Sequence, residues 1–209
     1  MSLVSFRQVH LDFHTSPFIP DVGKDFDAEE FARTLKKAKV DSVNVFSKCH
    51  HGYCYYPTKI GKTHPSLKKD LLGEMVEALH RYGIRCVVYT TVVWDELAAF
   101  DHPEWRQVDR EGKLIGRGPL EKWGWQFICL NAEEYIDYVC AQVKEVLTLY
   151  KVEGIWYDIL LQHPEGCFCH NCQQSAGELG LHLEIEKERF EHNLWVERKA
   201  MKRLYDAVK

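Results

Sequence analysis

The run Val152–Cys172, V-E-G-I-W-Y-D-I-L-L-Q-H-P-E-G-C-F-C-H-N-C, decides how the chain is read. Its first part, Gly154 to Leu161, is too short and too rich in β-branched and aromatic residues for a helix. It also follows a long helical pattern, so it predicts a buried parallel strand. Asp158 is the one charge in that strand. A carboxylate at the carboxyl end of a parallel strand opens into the crevice where α/β proteins place ligands; the competing reading is an Asp that caps the next turn.

The second part carries Cys167, Cys169 and Cys172 as C-x-C-x-x-C. Thiolates so closely spaced suit a tetrahedral soft-metal site, and zinc closes such a site with four ligands. Cys129, in F-I-C-L-N one predicted helix earlier, is the expected fourth; His170 is a poorer one, and a reduced, metal-free cluster is the alternative. Cys49, Cys54, Cys86 and Cys140 read as ordinary thiols.

Upstream, the chain alternates strand and helix. Val9–Thr15 alternates strictly, with His10, Asp12 and His14 on one face. Asp27 caps a helix in which Glu30 completes a capping box and Phe31, Leu35 and Ala38 form the buried stripe. Further strands are expected at 42–48 and 84–93, with helices at Leu67–Tyr82 and Ala132–Tyr150. Between Glu96 and Gln126 the sequence is turn-rich and predicts an excursion over the mouth of the fold, and after Cys172 it is helical. Repeated strand-helix units with right-handed crossovers imply an α/β fold of the eight-stranded TIM-barrel type. Four such units make half a barrel, and a barrel needs about 250 residues, so residues 1–209 read as a single partial domain.

At 209 residues and 45% hydrophobic, the chain can bury a core. A net charge of −4 with basic residues scattered singly or in pairs argues against nucleic acid. The apolar runs are too short for a membrane span, and residues 1–20 lack a signal pattern, so the expected compartment is the cytoplasm. If the chain ends at Lys209, the open parallel edge of the sheet is expected to be covered by the C-terminal helices or by a second copy in a homo-oligomer.

The loop K-C-H-H-G-Y-C-Y-Y-P-T-K, from Lys48 to Lys59, resembles the K-H-H-D-G-F loop of the family 29 α-L-fucosidases, and G-I-W-Y-D resembles their G-L-W-F-D nucleophile strand. The closer resemblance is to the related hypothetical glycosyl hydrolase family 6. It implies a retaining glycosidase acting on a carbohydrate, with Asp158 as nucleophile, His14 as the first-strand sugar-binding histidine, and Lys48, His50 and Gly52 on the second-strand loop. Cys49 and His51 depart from the fucosidase pattern, which weakens an assignment to fucose. The cysteine pattern is similar to the four-cysteine zinc site of family 42 β-galactosidases.

Cleaving a glycosidic bond takes two carboxyl groups. Asp158 is a candidate for one; Asp95, Glu96 and Glu165 are local candidates for the acid/base, with no spacing to choose among them. Sugar binding needs flat apolar faces and polar donors, which Tyr53, Trp94, Trp156, His14, His50 and His51 supply. Two other functions compete: a carbohydrate-binding protein without a working acid/base, and a metal-dependent hydrolase built on His10, Asp12 and His14.

Overall fold

The computed structural model describes residues 6–116 and 125–209. In chain order the elements are β1 (Gln8–His10), α1 (Ala28–Lys37), β2 (Ser42–Lys48), β3 (Tyr53–Cys54), β4 (Lys62–Thr63), α2 (Leu71–Arg81), β5 (Arg85–Thr91), α3 (Glu96–Asp101), α4 (Glu133–Leu149), β6 (Gly154–Asp158), α5 (His170–Glu178) and α6 (Glu186–Asp206). They form an α/β fold in two compact units. One comprises the chain up to Thr90 with Gln142–Tyr157, the other mainly Thr91–Ala141 with Asp158–Ala207.

In the first unit β2 is central and buried along its whole length. It pairs in parallel with β1 from Gln8↔Ser42 to His10↔Asn44, and with β5 from Ser42↔Arg85 onward. β6 lies beyond β5. Glu153 N–H donates to Cys86 O at 2.9 Å and Val92 N–H to Asp158 O at 3.0 Å, so the two strands advance in the same direction. One face of β2 sends Val43 and Val45 into a core with Leu72, Val76 and Leu79 of α2. The other carries Asn44 and Phe46, and Phe46 stacks on Tyr89 at 3.7 Å. A strand covered on both faces reads as continuous burial rather than alternation.

Three boundaries differ from the sequence expectation by more than two residues. β1 stops at His10 instead of running to Thr15, because β3 takes the far end of the same β2 edge, pairing antiparallel at Lys48↔Cys54, with Tyr55 N–H on Ser47 O. β6 stops at Asp158 rather than Leu161, because Ile159 sits at φ +53°, a left-handed conformation that a β-branched residue rarely adopts and that no strand can contain. α2 begins at Leu71 rather than Leu67, since the Asp70 carboxylate caps it by accepting Gly73 N–H at 2.8 Å. Gly83 at φ +65° ends that helix as expected.

Asp27 caps α1 through Glu30 N–H at 2.8 Å. Phe31 and Leu35 pack partly buried against the core, whereas Ala38 is exposed as the C-cap residue and Ala32 is the buried alanine.

The sheet curls. His10 on β1 and Trp156 on β6 are three strand spacings apart, about 14 Å in a flat sheet, yet their rings lie 5.9 Å apart. The concave face is the one that carries Phe46 and Tyr89.

In the second unit the expected irregular excursion contains structure. The Asp95 carboxylate caps α3 by accepting Ala98 N–H at 3.0 Å, a 3-10 turn follows at Pro103–Trp105, and bridges Arg106↔Ile128, Val108↔Leu114 and Gly116↔Gln126 fold the segment back on itself. The R-G-P-L turn at 117–120 lies outside the described residues. Val92, Ile128, Tyr135, Ile136, Val196 and Leu204 are among the buried side chains of this unit. No helix among the described residues is long and apolar enough to cross a membrane.

Candidate functional site

The concave face of the first unit is a wall of rings. His14 stacks on His50 at 4.1 Å, and both lie near Tyr89, at 6.4 and 6.3 Å. His10 sits 5.6 Å from Tyr89 and 5.6 Å from Phe46. Trp156 stands beside His10 with 47% of its surface exposed. His14 uses both ring nitrogens: Nδ1 accepts His50 N–H at 3.3 Å, and Nε2 lies 2.8 Å from Asp12 Oδ1. His51 is buried in the same loop, and Tyr53 packs edge-on against His64 at 5.9 Å. Tyr89 was missed in the sequence, where it reads as one more apolar residue of a strand.

Lys48 is not on this wall. The register between β2 and β5 shifts between Phe46 and Lys48, so one extra residue, Ser47, is accommodated and the following side chain changes face. Lys48, 1% exposed, lines a small cavity with Thr90, Gln142, Val143 and Val146, and its Nζ donates to Gln142 Oε1 at 3.0 Å. The structure thus separates Lys48 from the other expected site residues: strict alternation would have put it on the concave face, and the bulge takes it to the helix side.

Asp158 is the last residue of β6 and is half-buried. Its carbonyl is fixed by Val92 N–H, and Ile159 O by Val93 N–H at 3.1 Å, so the turn that follows the carboxylate is held on both sides. In the second unit Trp94 stacks on Trp125 at 5.6 Å and meets Phe127 edge-on at 5.9 Å. Of the acid/base candidates, Asp95 caps α3 and also accepts Tyr135 O–H at 3.2 Å, which gives it a structural task. Glu96 is buried in α3, and Glu165 is exposed, 3.9 Å from Arg189.

The four expected cysteines converge. The sulfurs of Cys129, Cys167, Cys169 and Cys172 all lie within 4.8 Å of one another, with Cys129–Cys172 at 3.4 Å and Cys129–Cys169 at 3.7 Å. A tetrahedron with metal–sulfur bonds of about 2.3 Å has edges of about 3.8 Å, so the donor set fits a soft ion. Gly166 at φ +81° turns the chain just before Cys167. Backbone donors point at the sulfurs, Asn131 N–H to Cys129 at 3.3 Å and Val108 N–H to Cys167 at 3.5 Å, and the Gln162 amide reaches Cys129 and Cys172. Hydrogen bonds from Cys129, Cys167 and Cys172 hold the Cys169 thiol far below its ordinary range. The same sharing pushes Cys129 up, through Cys167 first, and Cys172 up, through Cys129 first. Alone, the sulfurs can share little negative charge; a divalent cation would let all four be thiolates. His10, Asp12 and His14 do not converge in this way, and the cysteine set is the only such cluster among the described residues.

The α-L-fucosidase isoenzyme 2 from Paenibacillus thiaminolyticus superposes with a TM-score of 0.88 at 34% identity, covering 98% of this chain and 31% of that one. A hypothetical protein from Ruminiclostridium thermocellum ATCC 27405 superposes with a TM-score of 0.57 at 14% identity, covering 74% of this chain and 77% of that one, and so shares the fold. This chain spans about a third of the length of the fucosidase it matches. No curated protein matches it. The likeness extends the mostly parallel sheet described above to the TIM-barrel-like catalytic domain of the fucosidases. Residues 27–159, from the α1 cap through Asp158 and the turn after it, match the family described as hypothetical glycosyl hydrolase 6, and the chain belongs to that family.

Proposed function

We propose that the chain is part of a retaining, α-L-fucosidase-like glycoside hydrolase that removes a terminal sugar, with residues 1–209 contributing to one catalytic domain. The observation that carries this is the likeness to the Paenibacillus fucosidase along nearly the whole chain, 34% identical at a TM-score of 0.88. Asp158, at the end of a parallel strand, is the nucleophile: its carboxylate attacks the anomeric carbon as the glycosidic oxygen takes a proton from a second acid. Water then cleaves the glycosyl ester, with that second group acting as base. His14, His50, His51, Tyr53, Trp94 and Trp156 serve sugar binding, with the tryptophans as stacking faces. Lys48 is left out, because its ammonium lies off the ring wall, in the small cavity beside Gln142.

The cysteine cluster holds structural zinc. Four thiolates leave no open position for water, so such an ion would hold the loop after Asp158 and take no part in the chemistry.

The test is turnover of p-nitrophenyl α-L-fucoside, followed by inactivation with a 2-fluoro-fucosyl fluoride and mass spectrometry of the labelled peptide. A glycosyl adduct on Asp158 is expected. Turnover with the label on another carboxylate would remove the assignment, and turnover of no aryl glycoside would leave the carbohydrate-binding alternative.

A further inference from the structure

Lys48 opens the K-C-H-H motif, yet its side chain lies off the ring wall and is buried. An ammonium is costly to bury unless it is hydrogen-bonded, so such a placement persists only with partners. Lys48 pairs with Cys54 across β2 and β3, and this pair closes the loop 49–53 that carries His50 and His51. The loop is a tight one: Cys49 O accepts Gly52 N–H at 2.9 Å, and Gly52 takes φ +84°. One side chain of α4 spans the closing pair. Gln142 Oε1 accepts from Lys48 Nζ at 3.0 Å, and Gln142 Nε2 donates to Cys54 Sγ at 3.6 Å. An ammonium only donates, so the amide oxygen must face the lysine and the amide nitrogen the sulfur. All three side chains are buried.

One turn further along α4, Glu145 takes hold of the chain beyond the loop. Its Oε2 accepts Tyr56 O–H at 2.9 Å and Thr58 O–H at 2.5 Å, and its Oε1 accepts Lys59 N–H at 2.6 Å. The loop is also tied to the segment after β1, where His14 Nδ1 accepts His50 N–H at 3.3 Å and the two rings stack at 4.1 Å. A binding residue is only as precise as the contacts that lock it, and a short loop closed by backbone bonds alone retains conformational freedom. Here the lock is a buried charge bridged by a neutral amide. Removing one partner of such a bond leaves the other desolvated, whereas replacing both by apolar groups of similar size is nearly neutral for stability. Stability and positioning can therefore be separated.

We propose that Lys48 is a positioning residue: its ammonium, bridged by Gln142 to Cys54, locks the 49–53 loop so that His50 and His51 meet the sugar in one fixed arrangement. The inference rests on the glycosidase reading for its ligand. It does not need Asp158 to be the nucleophile, and the locked loop is measured without any sugar.

The experiment uses the full chain, as wild type, as Lys48→Met and as the double variant Lys48→Met with Gln142→Met. Amide hydrogen exchange across residues 49–54, the urea midpoint and the dissociation constant for L-fucose by ligand-observed NMR are read on each. Lys48→Met should speed exchange in the loop and weaken L-fucose binding, each about tenfold, and should lower the urea midpoint. The double variant should recover the midpoint toward the wild type while loop exchange stays fast and fucose binding stays weak. Unchanged loop exchange or unchanged fucose affinity in the two variants overturns the proposal. So does fucose binding that recovers with the midpoint in the double variant, the mark of a role in stability alone. If Lys48→Met does not fold, the double variant carries the comparison by itself. A wild type that neither binds L-fucose nor turns over p-nitrophenyl α-L-fucoside would remove the fucosidase-like reading, and the exchange rates would still uphold or overturn the lock.

Discussion

The side-chain amide of Gln162 donates to the Cys129 sulfur at 3.6 Å across 33 residues of chain. Its Oε1 accepts Leu130 N–H at 3.3 Å, and its backbone N–H is held by Glu197 on α6 at 2.9 Å. The loop that leaves Asp158 is therefore fastened to the sulfur cluster by a neutral donor. Protein prepared without added zinc should carry about one zinc per chain by elemental mass spectrometry, and Cys129→Ser should carry far less. Gln162→Ala should keep the ligands but bind zinc about 10- to 100-fold more weakly in a chelator competition, as loss of an outer-sphere partner does. Equal zinc content in wild type and Cys129→Ser would exclude Cys129 as a ligand.

Asp158→Asn should lower kcat by roughly 10^4-fold or more, because the amide keeps the shape but cannot form the glycosyl ester. The circular dichroism spectrum should be unchanged. Residual turnover near the wild-type rate would place the nucleophile elsewhere.

Asp70 both caps α2 and accepts Tyr150 O–H at 2.8 Å. Asp70→Ala should cost about 1–2 kcal/mol in urea unfolding, combining a lost cap with a lost side-chain bond. Asp27→Ala, which removes only the cap of α1, should cost about 1 kcal/mol.

Burial pushes His64 below its ordinary value of 6.5. Its Nε2 lies 3.0 Å from Ser16 O, and Ser66 N–H points at Nδ1 from 3.3 Å, an arrangement suited to the neutral ring. A depressed pKa means that the unfolded chain takes up the proton first. The stability it contributes is present above pH 6.5 and is lost as pH falls through the lower folded value. Urea midpoints should decline as pH falls from 6.5 through that folded value, and His64→Gln should flatten the decline. An identical slope in the variant would show that other groups dominate.

Much of this was legible in the sequence because it depends on local pattern. Alternation and amphipathic spacing located β2, β5 and the helices, Asp27 announced its own cap, and the C-x-C-x-x-C spacing with a lone upstream cysteine pointed to the convergent cluster. What escaped depends on partners distant in the chain. β1 is short because β3 competes for the edge of β2, Asp70 overrides the helix start suggested at Leu67, and the 96–126 segment is ordered by bridges that local propensity does not encode. The face that Lys48 takes is illegible for the same reason: a bulge is a property of the pairing, and Ser47 carries no mark of it. The value of Tyr89 and His10 likewise appears only when the curled sheet brings their rings together.

That bulge has an electrical consequence. By taking the Lys48 ammonium to the Gln142 side it leaves Phe46, Tyr89 and Trp156 facing imidazole rings rather than that ammonium. A surface of that kind holds uncharged molecules by contact and polarity. A ligand held in that way should bind with little dependence on ionic strength, unlike one drawn in by a fixed ammonium.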